Sequence, residues 1–394
     1  MTKIQQRNFI ILMAFFMSLM ALAIDAMLPA LINIKNDFGL ENANDTQLVI
    51  STIFLGMSAG LMLYGPLSDS YGRKRPLYFG LTFFMLGSIV SLFSPNLEVM
   101  LLGRFLQGFG CAACRVISVA MIRDNFHGEQ MGKIMSIVMM CFVLVPALAP
   151  SLGQLILFVG SWRYIFVFFI VLAAFGLFML KFKQRETLDP SNVVAFSFKN
   201  IFSGIKETLS NKTSRVYMIA AGLTFGAFIT YLSTVQQIFF DIYGVKEGFS
   251  LYFGALAIFI GMSSFINARY VERFGMKKLS NFSFLTLSLV SFIYLIVLKL
   301  SGGQTHISVF FIYLAISFLV IGILFGNLNS LAIDPLGHIA GVANSVISSV
   351  QTLISVFIGI IVGQMYNQTV YPLVISFCAL SLTSYFIIRF GTRD

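Results

Sequence analysis

An all-helical integral membrane protein with twelve spans, arranged as two pseudo-symmetric six-helix bundles, is the fold class this sequence predicts, and three observations predict it. Hydrophobic residues make up 58% of the 394 residues and charged residues only 11%, more apolar surface than a water-soluble core of this size needs. The apolar residues fall in runs of about twenty, enough to cross a hydrocarbon layer of ~30 Å. The basic residues gather on alternate connections. Lys3, Arg7, Arg73, Lys74, Arg75, Arg123, Lys133, Lys181, Lys183, Arg185, Lys199, Lys206, Lys212, Arg215, Arg269, Arg273, Lys277, Lys278, Arg389 and Arg393 fall on one side, and only Lys35, Arg163, Lys246 and Lys299 on the other. By the positive-inside rule both termini are cytoplasmic. The net charge of +10 therefore reports topology and not a nucleic-acid partner.

Taken in order, the spans are expected at about residues 9–31, 47–68, 76–95, 98–120, 133–157 and 163–181, then 216–239, 249–271, 279–299, 307–332, 341–364 and 370–390. The basic, apolar start through Ile24 has the outline of a signal peptide. Its apolar run continues through Asp25 to Leu31, so it is expected to remain as the first span. Residues 182–215 are polar and mixed in charge. They divide the chain into an N-terminal bundle, 1–181, a cytoplasmic linker, and a C-terminal bundle, 216–394. Within the linker Ile201, Ile205 and Leu209 are spaced for a short amphipathic helix. Six spans, a linker and six more spans is the pattern of transporters built from repeats. Cys111 and Cys114 share a helix face as small packing residues, since no further Cys or His joins them as a metal or redox set. His127, His306 and His338 stand apart in loops. No phosphate-cradling glycine loop, metal cluster or nucleophile elbow is present in the sequence, so neither an enzyme nor a cofactor is expected.

The connection from Gly65 to Leu77 places glycine, proline and charge between the second and third spans. Gly65 lets helix ends approach, Gly72 permits a positive φ, and Pro76 suits a first helical turn. Asp69 and Arg73 are four residues apart, within pairing reach on a helix. Three buried charges follow from the span assignments. Asp25 is the only carboxylate deep in a predicted span, and such a group marks a pathway more often than a structural bridge. Arg104 lies in the fourth span, and counting back from the outer ends puts both Asp25 and Arg104 about six residues deep, ~9 Å at 1.5 Å per residue, so that they could face each other. Arg115 lies three turns further in, either as a substrate or carbonyl contact or as an arginine snorkelling toward a helix end. In the fifth span Pro146 and Pro150, with Gly153, are expected to bend the helix and allow tight packing.

The residues from Gly65 to Leu77 match every fixed position of the motif G-x-L-x-D-x-x-G-R-K/R-x-x, and the chain thereby resembles the major facilitator superfamily of transporters. The fifth span is similar to that superfamily's antiporter motif G-x-x-x-G-P-x-x-G-G: Pro150 and Gly153 match, whereas Ala149 and Gln154 replace glycines and Pro146 follows the position of the leading one. Ala23-Ile24-Asp25, Leu28-Pro29-Ala30, Arg104-Phe105-Leu106-Gln107-Gly108, Arg123-Asp124, Trp162-Arg163, Phe166 and the approach to Gly341 resemble the bicyclomycin and chloramphenicol resistance exporters of bacterial inner membranes. The resemblance implies proton-driven export of small drug-like compounds by alternating access. Asp25 would bind protons, and Arg104 would pair with it or meet substrate. Asp69, Arg73 and Asp124 would latch the cytoplasmic side, near Gly65, Gly72 and the start of the eleventh span at Gly341. Gln107, Arg115, Met27, Phe109 and Tyr231 complete the expected cavity set. The expected partners are a small-molecule substrate, protons and the lipid bilayer, with the chain acting as a monomer. A dedicated metabolite or siderophore exporter uses the same scaffold. A receptor or scaffold has little reason to bury Asp25 and Arg104.

Overall fold

The computed structural model describes residues 3–245 and 248–392. Lys246 and Arg393, counted above among the loop charges, lie outside them. The first span is interrupted. α1 (Lys3–Asp25) ends at the buried acid, a 3₁₀ turn follows at Leu28–Ala30, and α2 (Leu31–Asp37) completes the crossing. The expectation of one continuous helix over 9–31 is corrected here, and Pro29 is the reason: it has no N–H for the carbonyl of Asp25, four residues earlier.

The N-terminal half continues with α3 (Leu48–Tyr71), α4 (Lys74–Leu92), α5 (Leu97–Asn125), α6 (Gly128–Val159) and α7 (Arg163–Phe182). Asn96 caps α5 by accepting the Val99 N–H at 3.1 Å, with Glu98 in the first turn. The linker helix α8 (Phe198–Ser210) leads to α9 (Lys212–Gln237), which starts four residues earlier than expected because Asn211 accepts the Ser214 N–H at 3.0 Å. Then come α10 (Phe249–Phe274), α11 (Met276–Leu300), α12 (Ile307–Ile333), α13 (Ala340–Gln364) and α14 (Tyr371–Gly391). Among the described residues eleven stretches are long and apolar enough to cross a membrane. One of them, Ile307–Gln364, carries both α12 and α13 around a 3₁₀ turn at Asp334–Ile339, which makes twelve spans.

Two compact units result. The first holds the chain up to Glu41 and Thr52–Phe202; the second holds Asn42–Ser51 and the chain from Ser203 onward. The linker is therefore shared and does not stand apart. Within the second unit Gly204 of α8 packs against Val342, and Glu207 meets His338 at 2.6 Å on the surface.

Close helix approach in the first unit depends on glycine. A Cβ on Gly108 would stand 1.8 Å from the Ile53 carbonyl oxygen, and one on Gly153 2.0 Å from that of Ala26. The Gly153 contact locks α6 onto the break in the first span. In the second unit an aromatic core forms around Tyr231, whose ring lies 4.7 Å from that of Phe318 and stacks on Phe228 and Phe253. Phe282, Leu285, Leu289, Phe292 and Ile296 run along α11 as an exposed apolar stripe, a face suited to lipid and not to water.

Candidate functional site

The interruption of the first span brings Asp25 to the end of α1, where its side chain is only 5% exposed. It forms no hydrogen bond or ion pair among the described residues. Arg104, fully buried in α5, donates instead to the Ala23 carbonyl through Nη2 at 2.8 Å and to Gln107 Oε1 through Nη1 at 2.8 Å. Gln107 passes the chain on, donating from Nε2 to Ser88 Oγ at 2.7 Å. The expected pairing of Asp25 with Arg104 is thus absent. A helix end leaves carbonyls without intrahelical donors, and the guanidinium satisfies one of them.

Of the other expected cavity residues, Met27 is wholly buried in the turn after Asp25, and Tyr231 is 1% exposed in the aromatic core. Both occupy packed interior positions. Phe109 is half-buried, its ring 5.3 Å from those of Tyr64 and Phe83. Arg115 is half-buried in α5. Pro146 and Pro150 lie inside α6, which runs through both as one helix.

At the loop joining α3 to α4, Asp69, Arg73 and Asp124 come together inside the first unit. Arg73 is 7% exposed. It donates to Asp124 in bidentate fashion, from Nε at 2.8 Å and from Nη2 at 3.1 Å, and from Nη1 to Asp69 and to Ser68 Oγ at 3.0 Å. Burial pulls the Arg73 pKa down, the bonds from Asp124 and Asp69 push it up, and the net shift is upward. Gly65 contributes its carbonyl to the Ser68 hydroxyl at 2.9 Å. Gly72 adopts φ +86°, the left-handed region that the turn requires. Gly341 lies in the first turn of α13, with open space where a Cβ would stand.

This cluster contains members that the sequence did not disclose. Glu186, just beyond α7, accepts the backbone N–H groups of Arg73 (2.9 Å), Thr187 (2.9 Å) and Leu188 (3.1 Å) on one oxygen and that of Lys74 (3.0 Å) on the other. Thr187 Oγ1 donates to Asp124 at 2.8 Å, Lys74 Nζ to the Gln184 carbonyl at 2.6 Å, and the Val194 N–H to the Asp69 carbonyl at 3.1 Å. The chain leaving α7 is therefore strapped over the glycine-containing loop. The only sequence signal was an acid beside a hydroxyl at the start of the linker. A second cluster, also missed, joins Asn42–Ser51 to the rest of the second unit. Asn44 Nδ2 donates to the carbonyls of Gln364 (3.2 Å) and Tyr366 (2.9 Å), Gln364 Nε2 donates back to the Asn44 carbonyl (3.1 Å), and Gln47 donates to Gln237. Asn44 thereby caps the C-terminal carbonyls of α13.

The family model described as Major Facilitator Superfamily matches residues 10–360. The chain is 25% identical over 386 residues to a bicyclomycin resistance protein homolog of Haemophilus influenzae, covering 96% of each chain. It is 27% identical over 370 residues to the multidrug resistance protein MdtL of Vibrio parahaemolyticus, covering 90% of this chain and 89% of that one. It is 28% identical over 365 residues to the uncharacterized MFS-type transporter YdgK of Bacillus subtilis, covering 91% and 89%. In fold it is similar to the partially occluded inward-open xylose transporter XylE of E. coli, with a TM-score of 0.75, 14% identity and coverage of 98% and 97%. The twelve spans, the loop cluster and the match over most of the chain agree, and the protein belongs to the major facilitator superfamily of membrane transporters.

Proposed function

We propose that this chain is a proton-coupled antiporter that exports small drug-like compounds across a bacterial inner membrane by alternating access, with both termini in the cytoplasm and the monomer as the working unit. The observation that carries the reading is Asp25, a carboxylate buried at a helix break with no partner among the described residues. An acid in that setting is costly to keep charged, so its protonation is easily coupled to whatever else enters or leaves its surroundings. The drug-like substrate range rests on relatives named for multidrug and bicyclomycin resistance.

In this reading Asp25 takes up a proton from the outer side and releases it to the inner side once per cycle. Arg104 holds the broken end of α1 in place through the Ala23 carbonyl. Asp69, Arg73 and Asp124 act as the cytoplasmic latch. Losing one latch bond of ~1–3 kcal/mol shifts a two-state ratio about five- to hundredfold.

The test is proton release from the detergent-purified protein in weak buffer on addition of a panel of antibiotics and cationic dyes. The wild type is expected to release protons on substrate binding and Asp25→Asn to release none. Equal release from both would remove Asp25 from the coupling.

A further inference from the structure

α5 carries two arginines within its membrane segment, and they are served very differently. Arg104 is fully buried and bonded to the Ala23 carbonyl and Gln107. Arg115, eleven residues further in, lies ~16 Å along the axis and about 20° away in azimuth, at 1.5 Å and ~100° per residue. It is half-buried, and it forms no hydrogen bond or ion pair among the described residues. It also stands about two turns deeper than the inner-end residues Arg123 and Asp124.

A guanidinium keeps its proton in proteins, so at this depth it needs an anion or several acceptors. Every acid on the first unit is engaged or remote. Asp69 and Asp124 are held by Arg73, and Glu186 by four backbone N–H groups. Asp37 accepts from Trp162 and Arg163, and Asp189 from Ser191. Glu41 and Glu98 belong to the outer connections, and Glu129 starts α6 at the inner face. Asp25 follows closely on Ala23, whose carbonyl takes Arg104, so it lies near the level of that arginine and three turns from Arg115. In the second unit the acids among the described residues stand at or beyond span ends, Asp45, Asp241, Glu272 and Asp334, or in the linker helix, Glu207.

We infer that Arg115 is a binding site for the acidic group of an organic substrate, so that carboxylates are among the compounds this protein carries. The assignment deepens the transport reading and rests on it for the word substrate. The planar fork of donors matches the two oxygens of a carboxylate, which would supply both the missing charge and the missing acceptors at once. Asp25, on α1 and near the level of Arg104, stays available for the proton.

The test uses a matched pair of probes, nalidixic acid and its methyl ester, titrated against detergent-purified protein with thermal shift as the readout. The wild type should bind the acid about tenfold or more tightly than the ester, the size of a charge-assisted hydrogen bond. Arg115→Gln should reduce that preference to within about twofold, and Arg115→Lys should keep an intermediate preference, since it retains charge without the fork. The lysine variant also supplies the comparison if the glutamine variant does not fold. Chloride and inorganic phosphate at matched ionic strength should leave the protein unshifted. The assignment is overturned by a wild type without acid preference, by a preference that survives in Arg115→Gln, or by an equal response to phosphate, which would leave an adventitious ion only. Binding is separable from transport: acid preference intact with no pH-driven uptake in proteoliposomes would sink the antiport reading and leave this one standing.

Discussion

Replacing Glu186 by alanine is expected to loosen the loop between α3 and α4 while leaving the first unit folded. The carboxylate accepts four backbone N–H groups at 2.9–3.1 Å, and two of them, on Arg73 and Lys74, begin α4. Without it those donors turn to water, and the strap from α7 loses its main tie to the loop. A single hydrogen bond to a shielded charge has a net value of about 1.5–3 kcal/mol. Glu186 is exposed, so screening brings the set to about 1–2 kcal/mol. At 1.4 kcal/mol per factor of ten, local opening becomes about five- to thirtyfold more frequent. Hydrogen exchange with mass spectrometry on peptides spanning 70–76 and 184–190 measures this directly. Burial pushes the Glu186 pKa up, the backbone bonds pull it down further, and the net value lies below the ordinary 4.5. A group whose folded pKa is lowered stabilises above its unfolded value and ceases to do so as pH falls through the folded one. The difference between wild type and variant should therefore be full at neutral pH, begin to shrink as pH falls through about 4.5, and vanish only below the lower folded pKa. Unchanged exchange at neutral pH in both peptides would refute the reasoning, as would a loss of protection spread evenly over the whole unit.

Three further outcomes follow from the same geometry. Arg73→Lys keeps the charge but cannot span both Asp124 oxygens, so turnover should fall about tenfold with substrate affinity unchanged, read from the split between kcat and KM of transport. Gly153→Ala drives a Cβ to within 2.0 Å of the Ala26 carbonyl, backbone against side chain, and should lower the thermal midpoint by an amount equivalent to about 1–3 kcal/mol. Asn44→Leu strands the Gln364 and Tyr366 carbonyls and should cost about 1–3 kcal/mol of stability, measured by thermal unfolding in detergent.

Fold class and span number were legible because lipid imposes one requirement, long apolar runs with charges at their ends, and the chain meets it plainly. The Asp69–Arg73 pair was legible from local spacing, and Asp124 only through the family resemblance. The break after Asp25 was in principle readable from Pro29, yet a proline in an apolar run signals anything from a mild bend to a stop, and only packing decides. Here the close approach of Gly153 to Ala26 does so. Where Arg104 directs its donors depends on which carbonyls that break exposes, information that depth counting along two helices does not contain. Glu186 and Asn44 were hidden for a different reason. Each acts on backbone groups far away in sequence, and backbone donors and acceptors carry no residue signature.

The central claim is that Asp25 carries the coupled proton, and it is tested most directly by uphill transport. Wild-type and Asp25→Asn proteins are reconstituted into proteoliposomes, a pH difference is imposed, and accumulation of a substrate identified by proton release is followed against its own gradient. Wild-type vesicles should accumulate substrate. Asp25→Asn vesicles should equilibrate it downhill at most, with a thermal midpoint no lower than wild type, because a costly buried acid has been neutralised and no ion pair has been broken. Accumulation by the Asp25→Asn protein under the same gradient would contradict the account and place the proton elsewhere.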